Sequence, residues 1–137
     1  MTTTTIQRLK KRAEFLRVRH GARAVRPAVL VEARRREAAG PVGLGLTASK
    51  KVGSAVVRNR ARRRLREAAR QLLPLHGLPG VDYVLVARAS TAEAPWDALL
   101  DDLGNALIRL RADLENPRGS GARGRAAPPR APATESD

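Results

Sequence analysis

Between positions 58 and 70 the chain carries Arg58, Arg60, Arg62, Arg63, Arg64, Arg66 and Arg70, with Glu67 as the only acid among them. A guanidinium does not give up its proton near neutral pH. It moves no protons in catalysis, but its planar fork grips phosphate through two hydrogen bonds and stacks on nucleobases. The chemistry of this segment is therefore capture of a polyanion rather than bond cleavage. Lys50 and Lys51, just ahead, add compact charges. Gly53 and the start of the following helix add free backbone N–H groups, a second means of holding an anion.

Catalytic groups are scarce elsewhere. The two histidines, His20 and His76, are far apart, and there is no cysteine, which excludes disulfides, thiolate chemistry and cysteine-based zinc sites. Gly43 and Gly45 begin no phosphate-binding loop, because the Gly-Lys-Ser/Thr that would complete it is missing. Asp97, Asp101 and Asp102 fall early in an expected helix, where the helix dipole accounts for them. The sequence thus predicts no catalytic residue and no metal ligand of the protein's own.

The arginine segment could be an ordinary solvated helix face, but such faces mix signs. Here Arg58/Arg62, Arg62/Arg66, Arg66/Arg70 and Arg60/Arg64 are like-charged pairs one helical turn apart. Each costs about 0.2–0.5 kcal/mol at low salt, so together they cost on the order of 1–2 kcal/mol. That is a noticeable load on a domain stability of about 5–15 kcal/mol, and a bound polyanion would relieve it. The whole chain points the same way, with a net charge of +14 over 137 residues. Nucleic acid is the expected partner. A membrane surface would need bulky apolar anchors opposite the charges, and no apolar run is long enough to span a bilayer. A major-groove DNA reader would need more varied base-reading side chains than Asn59 alone, and a dimerisation stripe. No signal peptide follows Met1, so a cytoplasmic protein is expected.

The elements that must position these residues read as an α+β domain of order α-β-β-α-β-α, with room for an extra strand. Residues 1–5 form a loose end, residues 6–115 the domain, and residues 116–137 a basic tail rich in Gly, Pro, Ala and Arg, without the large apolar residues needed to offset ordering. Apolar residues at Ile6, Leu9, Ala13, Leu16 and Val18 predict a first helix over about Ile6 to Arg19, with Phe15 beside the stripe. A strand follows over Ala28–Val31, then a charged connection from Arg34 to Pro41. Val42, Leu44 and Leu46 alternate with Gly43 and Gly45, the period of a strand with one apolar face. Its bare glycine face marks close approach by a ligand or by a packed neighbour. Ser54 caps a helix from Ala55 to Leu73 that buries Val57, Ala61, Leu65, Ala68 and Leu72, stopped by Pro74 and Gly77. Residues 81–89 predict a central strand buried on both sides, and a last helix opens near Pro95 with Trp96, Leu99, Leu103, Leu107 and Leu110 on its apolar face.

The segment from Ser49 to Arg66 resembles the signature of the protein component of bacterial ribonuclease P, S-K-K-x-G-x-A-V-x-R-N-R-x-[KR]-R-x-x-R. The resemblance extends to Arg8-Leu9-Lys10 with Glu14-Phe15, to Gly45-Leu46, and to Asp82-Tyr83 through Ala87-Arg88, covering about residues 8 to 112. It implies a small α/β sandwich similar to the second domain of ribosomal protein S5, with a left-handed βαβ crossover. It implies ribonuclease P RNA and precursor tRNA as partners, with the RNA subunit and Mg2+ carrying out cleavage of the 5′ leader.

Matched residue by residue, Lys50, Lys51, Arg58, Asn59, Arg60, Arg62, Arg63 and Arg66 would face the catalytic RNA. Phe15 matches the first aromatic of a cleft between the first helix and the sheet that receives the single-stranded leader. The chain departs from the pattern where a second aromatic is usual, having Val18 and Arg19 there, and where a strand aromatic is replaced by an aliphatic residue near Val31. Leader contacts would then lean on charge, shape and backbone at Thr47 and Ser49. The alternative reading is a structural, ribosomal-type RNA-binding protein with no processing role, but that would call only for basic charge and not for the R-N-R spacing.

Overall fold

The computed structural model describes residues 6–36 and 39–115; the expected loose end at 1–5 and basic tail at 116–137 lie outside them. The elements are β1 (Ile6–Arg8), α1 (Arg12–Arg19), β2 (Ala22–Val25), β3 (Val29–Arg35), β4 (Val42–Thr47), a 3-10 turn (Lys50–Val52), α2 (Ala55–His76), β5 (Val81–Ala87) and α3 (Trp96–Glu115). The strands form one sheet in the order β1-β4-β5-β3-β2. β4 is parallel to both β1 and β5, while β3 is antiparallel to β5 and β2.

Side-chain alternation along the strands builds two layers around this sheet. Val29, Val31, Val42, Tyr83 and Leu85 point into the main core, which they share with Leu65 and Leu73 of α2 and with Leu99, Leu103, Leu107 and Leu110 of α3. On the other face α1 contributes Val18 and Phe15 to a smaller cluster with Leu9, Val84 and Val86. β5 lies in the middle of the sheet and is buried on both faces, as its unbroken apolar run predicts. In α2 the Ser54 hydroxyl accepts from the Val57 N–H at 3.3 Å, the expected N-cap.

Five sequence expectations are corrected. The first helix begins at Arg12 and not at Ile6, because residues 6–8 pair instead with the edge of β4 (Ile6 with Val42, Arg8 with Leu44), and the Leu9 N–H extends that ladder to the Leu44 carbonyl at 2.8 Å. Strand pairing satisfies backbone groups that a helix start would leave open. A second unanticipated strand, β2, alternates Arg23 and Val25 outward with Ala22 and Ala24 inward, a period too short to register alone. β3 continues through Arg34 and Arg35, which pair with Asp82 and Val81, so these residues are strand and not connection. α2 runs past Pro74 to His76, where the Gly77 N–H closes it on the Leu73 carbonyl at 2.7 Å. Its buried face is also rolled from the anticipated stripe: Ala69 and Leu73 are fully buried, whereas Val57 and Leu72 are only half-buried.

Tyr83 is fully buried, and its hydroxyl oxygen accepts the N–H of Leu78 in the α2–β5 connection at 3.0 Å. Burial raises the phenol above its ordinary pKa. Tyr83→Phe leaves that N–H without its acceptor and should cost about 1–3 kcal/mol, read as a lower urea midpoint with an unchanged m-value.

Candidate nucleic-acid interface

The structure sorts the arginines of α2 by what they already hold. Arg58 is half-buried and donates to the Gly53 carbonyl at 3.1 Å, tying the first turn to the preceding loop. Arg62 donates to the Asn59 side-chain oxygen at 2.8 Å. Arg70 forms a fork on Glu67 at 2.9 Å, which holds that carboxyl below its ordinary pKa. Arg64 points to the opposite flank and donates to two backbone carbonyls, Thr91 at 2.7 Å and Ala94 at 2.6 Å. The side chains of Arg60, Arg63 and Arg66 are exposed and make no hydrogen bond or ion pair among the described residues. The Lys50 and Lys51 side chains are likewise exposed and unpaired there, one short turn ahead of the helix. The protein thus leaves unmatched cations along the outer face of α2 and at its N-terminal approach.

The roll of α2 brings Arg62 and Arg66 to the sheet edge. There they line a groove of about 440 Å³ together with Ile6, Arg8, Leu9, Phe15, Leu44 and Leu46. The groove lies beside the point where β1 ends and β4 runs on alone from Gly45 to Thr47, with no strand on that edge among the described residues. Phe15, predicted from sequence, and Arg62 and Arg66, predicted separately, are here brought into one cavity. Arg8, Ile6, Leu9, Leu44 and Leu46 were not anticipated as lining it. The alternation of Leu44 and Leu46 was visible, but the strand beside them that creates the groove was not.

Phe15 is placed by three features. Its ring lies on the bare backbone of Gly45, where a Cβ would come within 2.5 Å of Cε2. The same holds at Gly43, where a Cβ would fall 2.0 Å from the Asp82 carboxylate. Packed neighbours, and not a ligand, therefore explain both glycines. Asp82, 2% exposed, binds Arg17 of α1 at 2.9 Å and also Arg36 beyond β3, anchoring α1 to the sheet. Glu14 accepts the Lys10 and Lys11 N–H groups, both at 3.0 Å, and closes the first turn of α1.

The remaining predicted residues divide. Thr47 lies in one cross-sheet row with Val86, Leu30 and Val25, on the face that α1 covers only in part. The aliphatic replacement on that face is Leu30, half-buried; Val31 points into the main core and is fully buried. Ser49 is exposed, and its carbonyl accepts from Val52 at 3.0 Å to close the 3-10 turn. Asn59 serves as a bridge to Arg62. Among the described residues no group of three His, Asp or Glu side chains could hold a metal ion, and the buried Asp82 already faces two guanidiniums. Among the described residues the donor set does not fit a resident Mg2+.

Comparison with known proteins gives one consistent result. A family model described as Ribonuclease P matches residues 4–111. The chain is 53% identical over 107 residues to the ribonuclease P protein component of Ruegeria pomeroyi, covering 76% of this chain and 86% of that one. It is 50% identical over 114 residues to that of Caulobacter vibrioides, covering 82% and 76%. The solved ribonuclease P protein of Thermotoga maritima superposes with a TM-score of 0.64 at 25% identity, over 75% of this chain and 96% of that one. A Staphylococcus aureus ribonuclease P protein gives 0.64 at 26% identity, over 75% and 94%.

Two outcomes follow from the placement of Phe15. Gly45→Ala should displace the ring, seen as a shift of the only phenylalanine's NMR signals, and its cost in stability should largely vanish when Phe15 is also replaced by Ala. The Lys11 and Lys10 N–H groups hold the Glu14 carboxyl below its ordinary pKa. Its stabilisation of α1 is therefore complete above the ordinary carboxylate range and is lost as pH falls through the lowered value. An acid titration followed at the Phe15 ring should show that step, and Glu14→Gln should abolish it.

Proposed function

The chain belongs to the ribonuclease P protein family, and we propose that the outer face of α2 binds the ribonuclease P RNA while the groove at Phe15 and the adjoining sheet face receive the 5′ leader of precursor tRNA. Processing of tRNA is the role of this family, and the chain takes part in it as the protein component. The observation that carries the assignment of surfaces is the junction of two environments in one groove. Arg62 and Arg66 supply phosphate-binding forks on one wall, and Phe15 and Leu46 supply an apolar one.

Each residue has a physical task in this reading. Arg60, Arg63 and Arg66 release counterions from RNA phosphates, and Lys50 and Lys51 extend the cationic track toward the leader. Arg62, braced by Asn59, is oriented before RNA arrives, which lowers the entropic cost of its phosphate contact. Phe15 offers one stacking surface for an unpaired base, worth about 1–3 kcal/mol. Thr47 and the Ser49 backbone border the uncovered sheet face and contribute shape and hydrogen-bonding capacity. Arg58 supports this surface by fixing the loop before the helix. In this reading Mg2+ would be held mainly by the RNA subunit and would supply its assistance to hydrolysis there. Among the described residues no helix is long and apolar enough to cross a membrane, and we place the protein with its RNA in the cytoplasm.

Cleavage of a leader-bearing precursor tRNA by a bacterial ribonuclease P RNA at low magnesium tests this directly. Addition of the protein should stimulate cleavage strongly, and the protein alone should cleave nothing. Tight binding without stimulation would instead indicate a general RNA-binding protein. Arg62→Ala and Arg66→Ala should each flatten the dependence of log affinity on log salt by about 0.7–0.9, and unchanged slopes would remove those residues from the RNA surface.

A further inference from the structure

We propose that Arg64, although it stands within the arginine stretch, is a positioning residue that sets the roll of α2 and never contacts RNA. The inference rests on the assignment of the α2 face to RNA and adds a residue whose work is done entirely inside the protein. Its guanidinium holds the Thr91 carbonyl at 2.7 Å and the Ala94 carbonyl at 2.6 Å, and lies 5.6 Å from the centre of the Trp96 ring. Three separate contacts thus use the fork edges and one face of the group, leaving little of it for a phosphate.

The segment that Arg64 grips is itself fixed to the sheet. The fully buried Thr91 hydroxyl donates to the Ala28 carbonyl at 2.7 Å and accepts the Arg88 N–H at the same distance. Ser90 donates to the Pro27 carbonyl at 2.9 Å, and Asp102 of α3 accepts the Ala28 N–H at 2.8 Å. Arg64 is therefore a strut between α2 and a rigid corner made of the β5–α3 connection and the turn before β3.

Such a strut matters because the buried face of α2 specifies its own roll poorly. Of its five buried residues three are alanines, Ala61, Ala68 and Ala69. Small side chains interdigitate little, so a rotation about the helix axis meets few steric barriers. At 100° per residue Arg64 stands nearly opposite Arg62 and Arg66 across the helix. A roll of about 20° would move groups at the helix's outer radius of about 5–6 Å by about 2 Å. That is enough to carry Arg62 and Arg66 out of hydrogen-bonding register with the phosphates they meet.

The charge-conserving variant separates a strut from a contact. Arg64→Lys keeps the positive charge but cannot reproduce the planar fork on two carbonyls. We expect Arg64→Lys and Arg64→Gln to weaken binding to ribonuclease P RNA alike, by about tenfold, with the same salt slope in both. Full affinity in Arg64→Lys, a slope lower by one charge in Arg64→Gln than in Arg64→Lys, or unchanged affinity in both would each overturn the proposal. Trp96 is the only tryptophan, and its emission gives a test in the intact protein at saturating RNA. Emission unchanged from the free protein supports the strut, and a shift matching that of the free Arg64→Lys protein means that RNA pulls Arg64 away and overturns it. Absence of leader-dependent stimulation by the wild type together with unchanged salt slopes in Arg62→Ala and Arg66→Ala would mark failure of the surface assignment itself, independently of Arg64.

Discussion

α1 can lie on the sheet only because β4 presents no side chains beneath it. Gly43 leaves room for the Asp82 carboxylate and Gly45 for the Phe15 ring, and any Cβ at either position would overlap them. Asp82 then binds Arg17, and the Arg34 guanidinium reaches back to the Arg17 carbonyl at 3.1 Å, so the helix is held from both its side chain and its backbone. A carboxylate this deeply buried is tolerable only when paired, and removing one partner would leave the remaining charge uncompensated. The groove, the position of Phe15 and the exposure of the sheet face beyond it all follow from this contact.

The second constraint is electrostatic. A helix with seven arginines and one acid in thirteen positions repels itself, and the fold lessens that repulsion by giving several of them internal acceptors. Gly53, Asn59, Glu67, Thr91 and Ala94 take up Arg58, Arg62, Arg70 and Arg64. What remains unmatched is concentrated on one outward face. A uniform density of charge in the sequence therefore becomes, in three dimensions, a division between guanidiniums that already hold acceptors within the protein and guanidiniums that are left unmatched.

Much of this was legible in the sequence. The Ser54 cap, the buried β5 run and the apolar stripe of α3 all stand where local pattern put them. The misses share a cause, which is that they depend on partners distant in the chain. Ile6 to Arg8 become a strand because β4 offers an edge, and no feature of those three residues announces it. Pro74 stays helical because the packing of Leu73 and the closure at Gly77 outweigh its preference to stop. The division among the arginines was hidden as well, since every guanidinium reads alike until the carbonyls of Thr91 and Ala94 are brought beside one of them. For the glycines of β4, the sequence showed that something approaches closely but not that it would be Phe15 and Asp82.

The Arg17–Asp82 pair joins residues 65 apart in the chain, and β1 pairs with a strand that begins at Val42. These are long loops to close, and contacts of that separation form late. During synthesis the arginine segment is therefore made before the strand carrying Asp82 exists to seat α1. A nascent chain exposes its cations first and acquires the groove only when β5 emerges. The groove is accordingly a property of the finished domain, while attraction to polyanions in general is present throughout its translation.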